Sequence, residues 1–217
     1  MTLQSIAIPA ENPQGVLVAL HGWGANAQDL VGLAQFLNLP NHTLIFPTAP
    51  FVHPYSAEGR MWYGFPNEYS FLSNPAFQQQ PDLQQSRQQL REFLLSLPEK
   101  TGVPLDRTVL AGFSQGGAMT LDVGSQLPLT ALLILSGYLH SPIDAIDPAI
   151  EKILVVHGRQ DQVVPLRAAQ QTRDRLEAIS APVEYHEFDM GHEIRPIVLQ
   201  IVQNFMEKTV YSAGDSA

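Results

Sequence analysis

The chain has 217 residues, of which 45% are hydrophobic, so it is long enough to bury one core, and we expect a single domain over residues 1–217. Its formal net charge of −9 argues against nucleic acid as a partner, because an acidic surface repels phosphates. Since it contains no cysteine, disulfides, a thiolate nucleophile and cysteine-based metal sites are excluded.

Neither a secretory signal nor a membrane span is expected. The first basic side chain is Arg60, so the positively charged region that opens a signal peptide is missing, and we expect a cytoplasmic protein. The longest apolar runs, residues 16–20 and 131–135, are much shorter than the roughly 20 residues that cross a bilayer. They are typical of buried strands.

Short β-branched and leucine-rich runs alternate with longer amphipathic segments along the chain, a pattern typical of parallel strands joined by crossover helices. The predicted strands span residues 4–8, 15–20, 43–46, 108–111, 131–135, 153–156 and 183–188. The predicted helices span residues 27–37, 81–97, 115–126, 166–179 and 196–206, and residues 209–217 are expected to fray. The sequence therefore predicts an α/β fold with a mostly parallel sheet.

Residues 48–80 form an insertion that is too long for an ordinary connection. It holds eight of the chain's 18 aromatic side chains (10 Phe, 6 Tyr and 2 Trp), namely Phe51, Tyr55, Trp62, Tyr63, Phe65, Tyr69, Phe71 and Phe77. One explanation is an acyl-binding wall, since aromatic side chains bury much apolar area. The other is a loop that covers the sheet and packs into the core. Both remain open at this stage.

A G-x-S-x-G motif, Gly112-Phe113-Ser114-Gln115-Gly116, lies between a predicted strand and a predicted helix. In that context the motif is typical of a nucleophilic serine on a sharp turn, where glycines leave room for a strained backbone. The alternative is a glycine-rich turn with an incidental serine. We interpret Ser114 as a nucleophile.

A serine hydroxyl needs a base, and the base needs an orienting carboxylate. His192 directly follows the last predicted strand, and Asp161 follows the strand before it, which gives the chain order Ser, Asp, His of α/β hydrolases. The alternative role for Asp161 is to cap a helix before Pro165. His21 and His157 are expected to be hydrogen-bonded structural residues.

Backbone N–H groups should stabilise the oxyanion that such a serine generates. The amide of Gln115 opens a predicted helix directly after the nucleophile. A second donor is expected from the loop His21-Gly22-Trp23-Gly24, where we assign it to Trp23 because glycines on both sides permit close approach to a ligand.

Leu20-His21-Gly22 and the segments 112–117, 157–161 and 191–193 together resemble the phospholipase/carboxylesterase family, which includes acyl-protein thioesterases. The resemblance covers residues 15–206. It implies an α/β-hydrolase fold without a large lid domain, and a triad of Ser114, Asp161 and His192. It also implies that Trp62 and its neighbours face the substrate, so that the candidate substrate-binding residues are Trp62, Tyr63, Phe65, Phe71 and Phe77.

The sequence thus predicts a serine carboxylesterase or thioesterase that works through an acyl-serine intermediate on a small ester or thioester. The alternatives are a peptidase or acyltransferase on the same fold, or a hydrolase homologue that only binds a ligand. This mechanism needs no metal and no other cofactor, and the histidines lack close metal-ligand spacing. Exposed aromatic surface on the insertion could support a homodimer.

Overall fold

The computed structural model describes residues 3–65 and 75–210, and within them nine strands and six α-helices are found. The strands are β1 (Ser5–Ile8), β2 (Gly15–Leu20), β3 (His42–Pro47), β4 (Phe51–His53), β5 (Ser56–Met61), β6 (Thr108–Phe113), β7 (Ala131–Leu135), β8 (Lys152–Gly158) and β9 (Val183–Phe188). The helices are α1 (Ala27–Ala34), α2 (Pro81–Leu95), α3 (Leu97–Thr101), α4 (Gln115–Gly124), α5 (Leu166–Ala178) and α6 (Pro196–Val210). Short 3-10 helices cover Pro75–Gln79 and Leu105–Arg107.

Seven of these strands form one sheet in the order β1-β3-β2-β6-β7-β8-β9. β1 is antiparallel to β3, and the other neighbouring pairs are parallel. The central strands are buried along almost their whole length, because helices cover both faces of a parallel sheet. This arrangement confirms the predicted α/β class.

Side chains that alternate along the strands pack into two hydrophobic layers, one on each face of the sheet. Val16, Val18 and Leu20 of β2 point into the layer beneath α2, α4 and α5, whereas Leu17 points into the layer beneath α1 and α6. The carboxyl ends of the six parallel strands therefore meet at one edge, between the two helical layers. Loops that follow β2, β6, β8 and β9 converge there.

Local signals explain where several helices begin and end. Asn26 and Asp29 form a capping box at α1, in which Asn26 accepts from the amide of Gln28 at 2.8 Å and Asp29 accepts from the amide of Asn26 at 2.8 Å. Pro81 opens α2, where its missing N–H costs nothing. Gly102 ends α3 with φ of 73°, in the left-handed region that suits glycine.

The insertion and the termini differ from the prediction in detail. Part of the 48–80 segment forms an antiparallel hairpin of β4 and β5, and another part forms the 3-10 helix Pro75–Gln79. Helix α1 ends at Ala34, three residues before the predicted end. Helix α6 runs through Val210, and Thr209 is buried with its hydroxyl bonded to the carbonyl of Phe205, so residues 209 and 210 are helical. Residues 211–217 lie outside the described part.

Candidate active site

Ser114 occupies the turn between β6 and α4 in a strained backbone conformation, with φ of 55° and ψ of −117°. A Cβ on Gly112 would lie 2.2 Å from the carbonyl oxygen of Gly116, and a Cβ on Gly116 would lie 2.3 Å from the carbonyl oxygen of Leu20. Both glycines of the motif are therefore required for the start of α4 to pack against β2 and β6. The turn places Ser114 at the carboxyl edge of the sheet.

The side chains of Ser114, His192 and Asp161 form one continuous hydrogen-bonded row. Nδ1 of His192 lies 2.7 Å from Oδ2 of Asp161, and Nε2 of His192 lies 2.9 Å from Oγ of Ser114. A carboxylate can only accept, so Nδ1 carries the proton and Nε2 is left to accept from the serine hydroxyl. In the sequence, His192 is 31 positions from Asp161 and 78 from Ser114, and the fold brings the three together.

Gly158, at the end of β8, allows the loop that carries His192 to approach. A Cβ at this position would lie 2.3 Å from the carbonyl oxygen of Met190 and 2.5 Å from that of Gly191. The amide of Gln160 also donates to the carbonyl of Met190 at 3.0 Å. The loop after β9 is thus held directly against the loop after β8, which carries Asp161.

Asp161 uses its two oxygens for different partners. Oδ1 accepts from the amides of Val163 at 2.9 Å and Val164 at 2.8 Å, while Oδ2 accepts from His192. Both amides precede α5, which begins at Leu166 and has no side-chain cap, so Asp161 does not cap this helix as the alternative proposed. The amide bonds fix the carboxylate in place.

His157 and His21 are buried beneath the row. Nε2 of His157 donates to the carbonyl of Val164 at 2.8 Å. Nδ1 of His21 donates to the carbonyl of Gly22 at 2.8 Å, and its Nε2 accepts from the amide of Ala49 at 3.0 Å. Burial lowers the pKa of both imidazoles, because the charged form loses its hydration. Burial therefore favours the neutral form of both rings, and each ring is hydrogen-bonded.

The loop after β2 lies against Ser114 and is braced by the hairpin. A Cβ on Gly22 would lie 3.3 Å from Cβ of Ser114. The amide of Gly24 donates to the carbonyl of Arg60 at 2.9 Å, and the amide of Arg60 donates to the carbonyl of Ala25 at 2.9 Å. Among the described residues the amide of Trp23 has no hydrogen-bond acceptor.

The amide of Gln115, like that of Trp23, has no hydrogen-bond acceptor among the described residues. Gln115 is the first residue of α4, so no carbonyl of that helix accepts from its amide. Its side chain, which the sequence analysis did not consider, accepts from the amide of Trp62 at 2.8 Å and donates to the carbonyl of Tyr63 at 2.7 Å. Gln115 therefore ties the insertion to the turn that holds Ser114.

A groove of about 970 Å³ opens over Ser114 and His192. One wall is aromatic and contains Trp23, Tyr55 and Phe65, which are 36%, 86% and 38% exposed. The opposite wall follows Asp161 along the chain and consists of residues 162–165, Arg167, Ala168 and Gln171. The sequence analysis missed this second wall, although its position directly after the candidate acid was a usable signal.

The predicted substrate-binding residues divide between this groove and the core. Phe65 lines the groove, but Trp62 and Tyr63 are 0% exposed, Phe77 is 3% exposed, and none of these three lines it. The indole of Trp62 donates to the carbonyl of His21 at 3.0 Å, which turns the ring inward. Of the two explanations for the aromatic insertion, packing into the core therefore applies to these three side chains. Phe71 lies outside the described residues.

A second buried polar cluster, which the sequence analysis did not anticipate, lies behind the aromatic wall. The hydroxyl of Tyr63 contacts the hydroxyl of Tyr138 at 2.6 Å and Nε2 of His140 at 2.7 Å. Nδ1 of His140 donates to Asp122 at 2.8 Å, and Arg87 pairs with the same carboxylate at 2.6 Å. Although burial opposes ionisation, the bonds from His140 and Arg87 lower the pKa of Asp122. The cluster anchors Tyr63 and thereby the end of the hairpin.

Residues 3–65 and 75–210 contain no group of three or more His, Cys, Asp or Glu residues arranged to hold a metal ion. In the same residues no helix is both long and apolar enough to cross a membrane.

Known proteins are similar to this chain in sequence and in fold. A model of the phospholipase/carboxylesterase family matches residues 1–210. Acyl-protein thioesterase 1 of Neurospora crassa is 31% identical over 127 residues, covering 54% of this chain and 52% of that protein. Acyl-protein thioesterase 1 homolog 2 of Dictyostelium discoideum is 28% identical over 158 residues, covering 69% of this chain and 68% of that protein. The chain thus spans about half the length of the first relative and about two thirds of the second.

A solved structure resembles the whole molecule. Esterase PE8 superimposes with a TM-score of 0.86 at 28% identity, covering 96% of this chain and 100% of that one. The family match over nearly all residues agrees with the resemblance inferred from the four motifs. The chain belongs to the phospholipase/carboxylesterase family.

Proposed function

We propose that the protein hydrolyses carboxylic esters or thioesters with Ser114 as the nucleophile, His192 as the general base and Asp161 as the orienting carboxylate. The observation that carries this proposal is the unbroken row from Ser114 Oγ to His192 Nε2 at 2.9 Å and from His192 Nδ1 to Asp161 Oδ2 at 2.7 Å. Nucleophile, base and carboxylate lie within hydrogen-bond reach before any substrate arrives.

The reaction proceeds in two halves. As Ser114 Oγ attacks the carbonyl carbon, its proton passes to Nε2 of His192, and the carbonyl oxygen becomes an oxyanion. The amides of Gln115 and Trp23 stabilise that oxyanion, each contributing about 3–4 kcal/mol in such sites. His192 then gives its proton to the departing alkoxide or thiolate, which leaves an acyl-serine. Water, deprotonated by His192, attacks the acyl-serine. The bond from the carbonyl carbon to Ser114 Oγ then breaks as His192 returns the proton to that oxygen, which releases the carboxylic acid and restores the serine hydroxyl.

Asp161 stabilises the positive charge that His192 carries between these transfers. Because its Oδ1 is already held by two amides, its Oδ2 stays aligned with Nδ1 throughout. Misalignment of the base would lower the rate without changing the groove. The fold therefore supports the general base as well as the nucleophile.

The neighbours favour ester chemistry over the alternatives. Two curated relatives are named acyl-protein thioesterases, and the similar solved structure is named an esterase. The open groove gives water access to an acyl-serine, which suits hydrolysis better than transfer to another acceptor. A peptidase, an acyltransferase and a ligand-binding homologue without activity remain distinguishable outcomes of the test below.

The test compares wild-type protein with the Ser114→Ala variant on 4-nitrophenyl butyrate and butyrylthiocholine. We expect the wild type to hydrolyse both and S114A to lose at least roughly a thousandfold in kcat, with unchanged circular dichroism. Ile197→Ala changes an exposed residue outside the groove, and it is the control for activity lost during purification. Hydrolysis by S114A at the wild-type rate would refute the assignment. Cleavage of peptide amides alone would favour the peptidase alternative, and transfer of the butyryl group to an added alcohol in place of water would favour the acyltransferase. No turnover of any substrate by folded wild type would favour the ligand-binding homologue.

The homodimer expected from exposed aromatic surface stays a prediction. Sedimentation velocity over a range of protein concentrations tests it directly. Val52 is 58% exposed on β4 of the insertion and does not line the groove, which makes Val52→Ser the suitable variant for separating an interface from a substrate surface.

A further inference from the structure

Arg167 is a positive charge on the wall of the groove in an otherwise acidic protein. The chain carries 21 Asp and Glu against 12 Lys and Arg, yet no Asp or Glu lines the groove among the described residues. Arg167 and the polar Gln162 and Gln171 lie together on the wall that follows Asp161. Among the described lining residues, the charge of Arg167 is thus opposite in sign to the net charge of the protein.

Unlike most arginines of this protein, Arg167 also has no carboxylate partner among the described residues. Within residues 3–65 and 75–210, the arginines that pair with carboxylates are Arg87, Arg159, Arg173, Arg175 and Arg195. Arg167 makes neither an ion pair nor a side-chain hydrogen bond within the part of the chain that the structure describes, and its side chain is exposed. A guanidinium in this state has five N–H donors available for a ligand.

The two walls of the groove differ in chemistry. They follow β2 and β8, and β6, which leads to Ser114, lies between those two strands in the sheet. Trp23 and Phe65 offer apolar surface on one side, while Arg167 offers charge on the other. A substrate whose reactive carbonyl sits at Ser114 therefore extends toward both kinds of surface. An apolar portion fits the first wall, and an anionic portion fits the second.

We propose that Arg167 recognises a negatively charged group on the ester or thioester, so that the preferred substrates carry an anion away from the reacting carbonyl. The proposal rests on the hydrolase activity proposed above and names its substrate class. A carboxylate is the simplest such group, because Arg binds it with two parallel hydrogen bonds. Neutral esters of the same size lack this contact and react more slowly.

Matched substrate pairs test the proposal on each side of the scissile bond. The first pair is 4-carboxyphenyl butyrate and neutral 4-carbamoylphenyl butyrate, in which the charge lies on the leaving group. The second is the mono-4-nitrophenyl ester of suberic acid and its methyl ester, in which the charge lies on the acyl group. The readout is the ratio of kcat/KM for the anionic member over the neutral member, compared between variants. Intrinsic differences in leaving-group reactivity cancel in that comparison.

We expect Arg167→Gln to lower this ratio about tenfold in at least one pair, which corresponds to about 1.4 kcal/mol. Arg167→Lys should retain part of the preference, and Arg167→Glu should make the neutral member the better substrate. The control is Arg91→Gln, because Arg91 is exposed on α2 away from the groove and its loss changes the net charge equally. High salt should weaken the wild-type preference, since exposed charges are screened.

The pair that responds identifies the side of the substrate that Arg167 contacts. A change of less than twofold in both pairs for R167Q would overturn the proposal, as would an equal change in R91Q. Both results leave ester hydrolysis intact and so leave the proposed function standing. Loss of hydrolysis of every substrate by the wild type would instead overturn the proposed function, and this inference with it.

Discussion

The imidazole of His157 lies directly beside the carboxylate of Asp161, with Nε2 3.5 Å from Oδ2. That oxygen is the one that accepts from Nδ1 of His192 at 2.7 Å. Because Nε2 of His157 also donates to the carbonyl of Val164, whose amide bonds Oδ1 of Asp161, the ring supports both the carboxylate and the loop around it. His157 thus helps to hold the carboxylate of Asp161 in place, and we expect it to act as a positioning residue in the proposed mechanism.

His157→Gln should lower kcat about tenfold and leave KM within about twofold, because the carboxylate and His192 would lose their fixed alignment while the groove remains. Steady-state kinetics on a neutral ester measures this. His186→Gln serves as the control, since His186 lies on β9 and pairs with Glu184 away from the row. An unchanged kcat in folded H157Q would show that the contact has no part in catalysis.

Stability should fall as the pH drops below about 6.5. Burial lowers the pKa of His21, His42 and His157 in the folded protein, whereas in the unfolded chain histidine titrates near 6.5. Below that pH the unfolded chain binds protons that the folded chain does not, so the free energy of unfolding decreases by up to about 1.4 kcal/mol per pH unit for each group. Above about pH 6.5 the contribution is fully present.

Urea unfolding between pH 7.5 and 5.5 measures this dependence. His157→Gln should reduce the slope, and His186→Gln, a substitution at a partly exposed site, is the control. A free energy of unfolding that stays constant over this range in the wild type would contradict the prediction.

Gly158→Ala should impair both folding and catalysis. The new methyl group would overlap the carbonyl oxygens of Met190 and Gly191 at 2.3 and 2.5 Å, and backbone must move to relieve it. We expect a loss of about 2 kcal/mol or more, in the range of overpacked sites, and a lower kcat because the moving loop carries His192.

Gly32→Ala is the matched control for that substitution. Gly32 lies in α1, and a methyl group added there would have nothing within 4 Å, so alanine should stabilise the helix by about 0.5–1 kcal/mol. Thermal unfolding of both variants, together with their kcat values, distinguishes local crowding from a general intolerance of alanine. Equal stability of the two variants would contradict the steric account.

Acyl-chain preference should depend on Phe65 and not on Phe77. Phe65 lines the groove and is 38% exposed, whereas Phe77 is 3% exposed and packs against Tyr63. In a series of 4-nitrophenyl esters from acetate to octanoate, Phe65→Ala should reduce the gain in kcat/KM per added carbon, because each buried CH₂ contributes about 0.8 kcal/mol. Phe77→Ala should lower stability and leave the chain-length profile unaltered. If Phe77→Ala changed the chain-length profile and Phe65→Ala did not, acyl binding would be assigned to Phe77 and not to the groove.

The sequence was informative where a residue's role depends on its place relative to a strand end. Ser114, Asp161 and His192 each follow a strand that apolar runs identify, and parallel strands end at one edge, so their meeting point could be inferred. The role of the glycines in the serine motif could also be predicted from the sequence, because larger side chains do not fit such a sharp turn.

The insertion was harder to interpret because its residues have no period. Whether Trp62 or Phe65 faces solvent depends on the hairpin of β4 and β5 and on bonds from Gln115 and His21, which are distant in sequence. The Tyr63, His140 and Asp122 cluster likewise joins three separate segments. No local pattern encodes such contacts.

The account depends above all on an activated hydroxyl at Ser114, and labelling with a fluorophosphonate followed by peptide mapping measures that most directly. We expect a single adduct on Ser114 in folded protein, none in S114A, and labelling slowed at least roughly a hundredfold in His192→Gln, because the serine loses its base. Folded wild-type protein that forms no adduct, or carries it on another residue, would contradict the account.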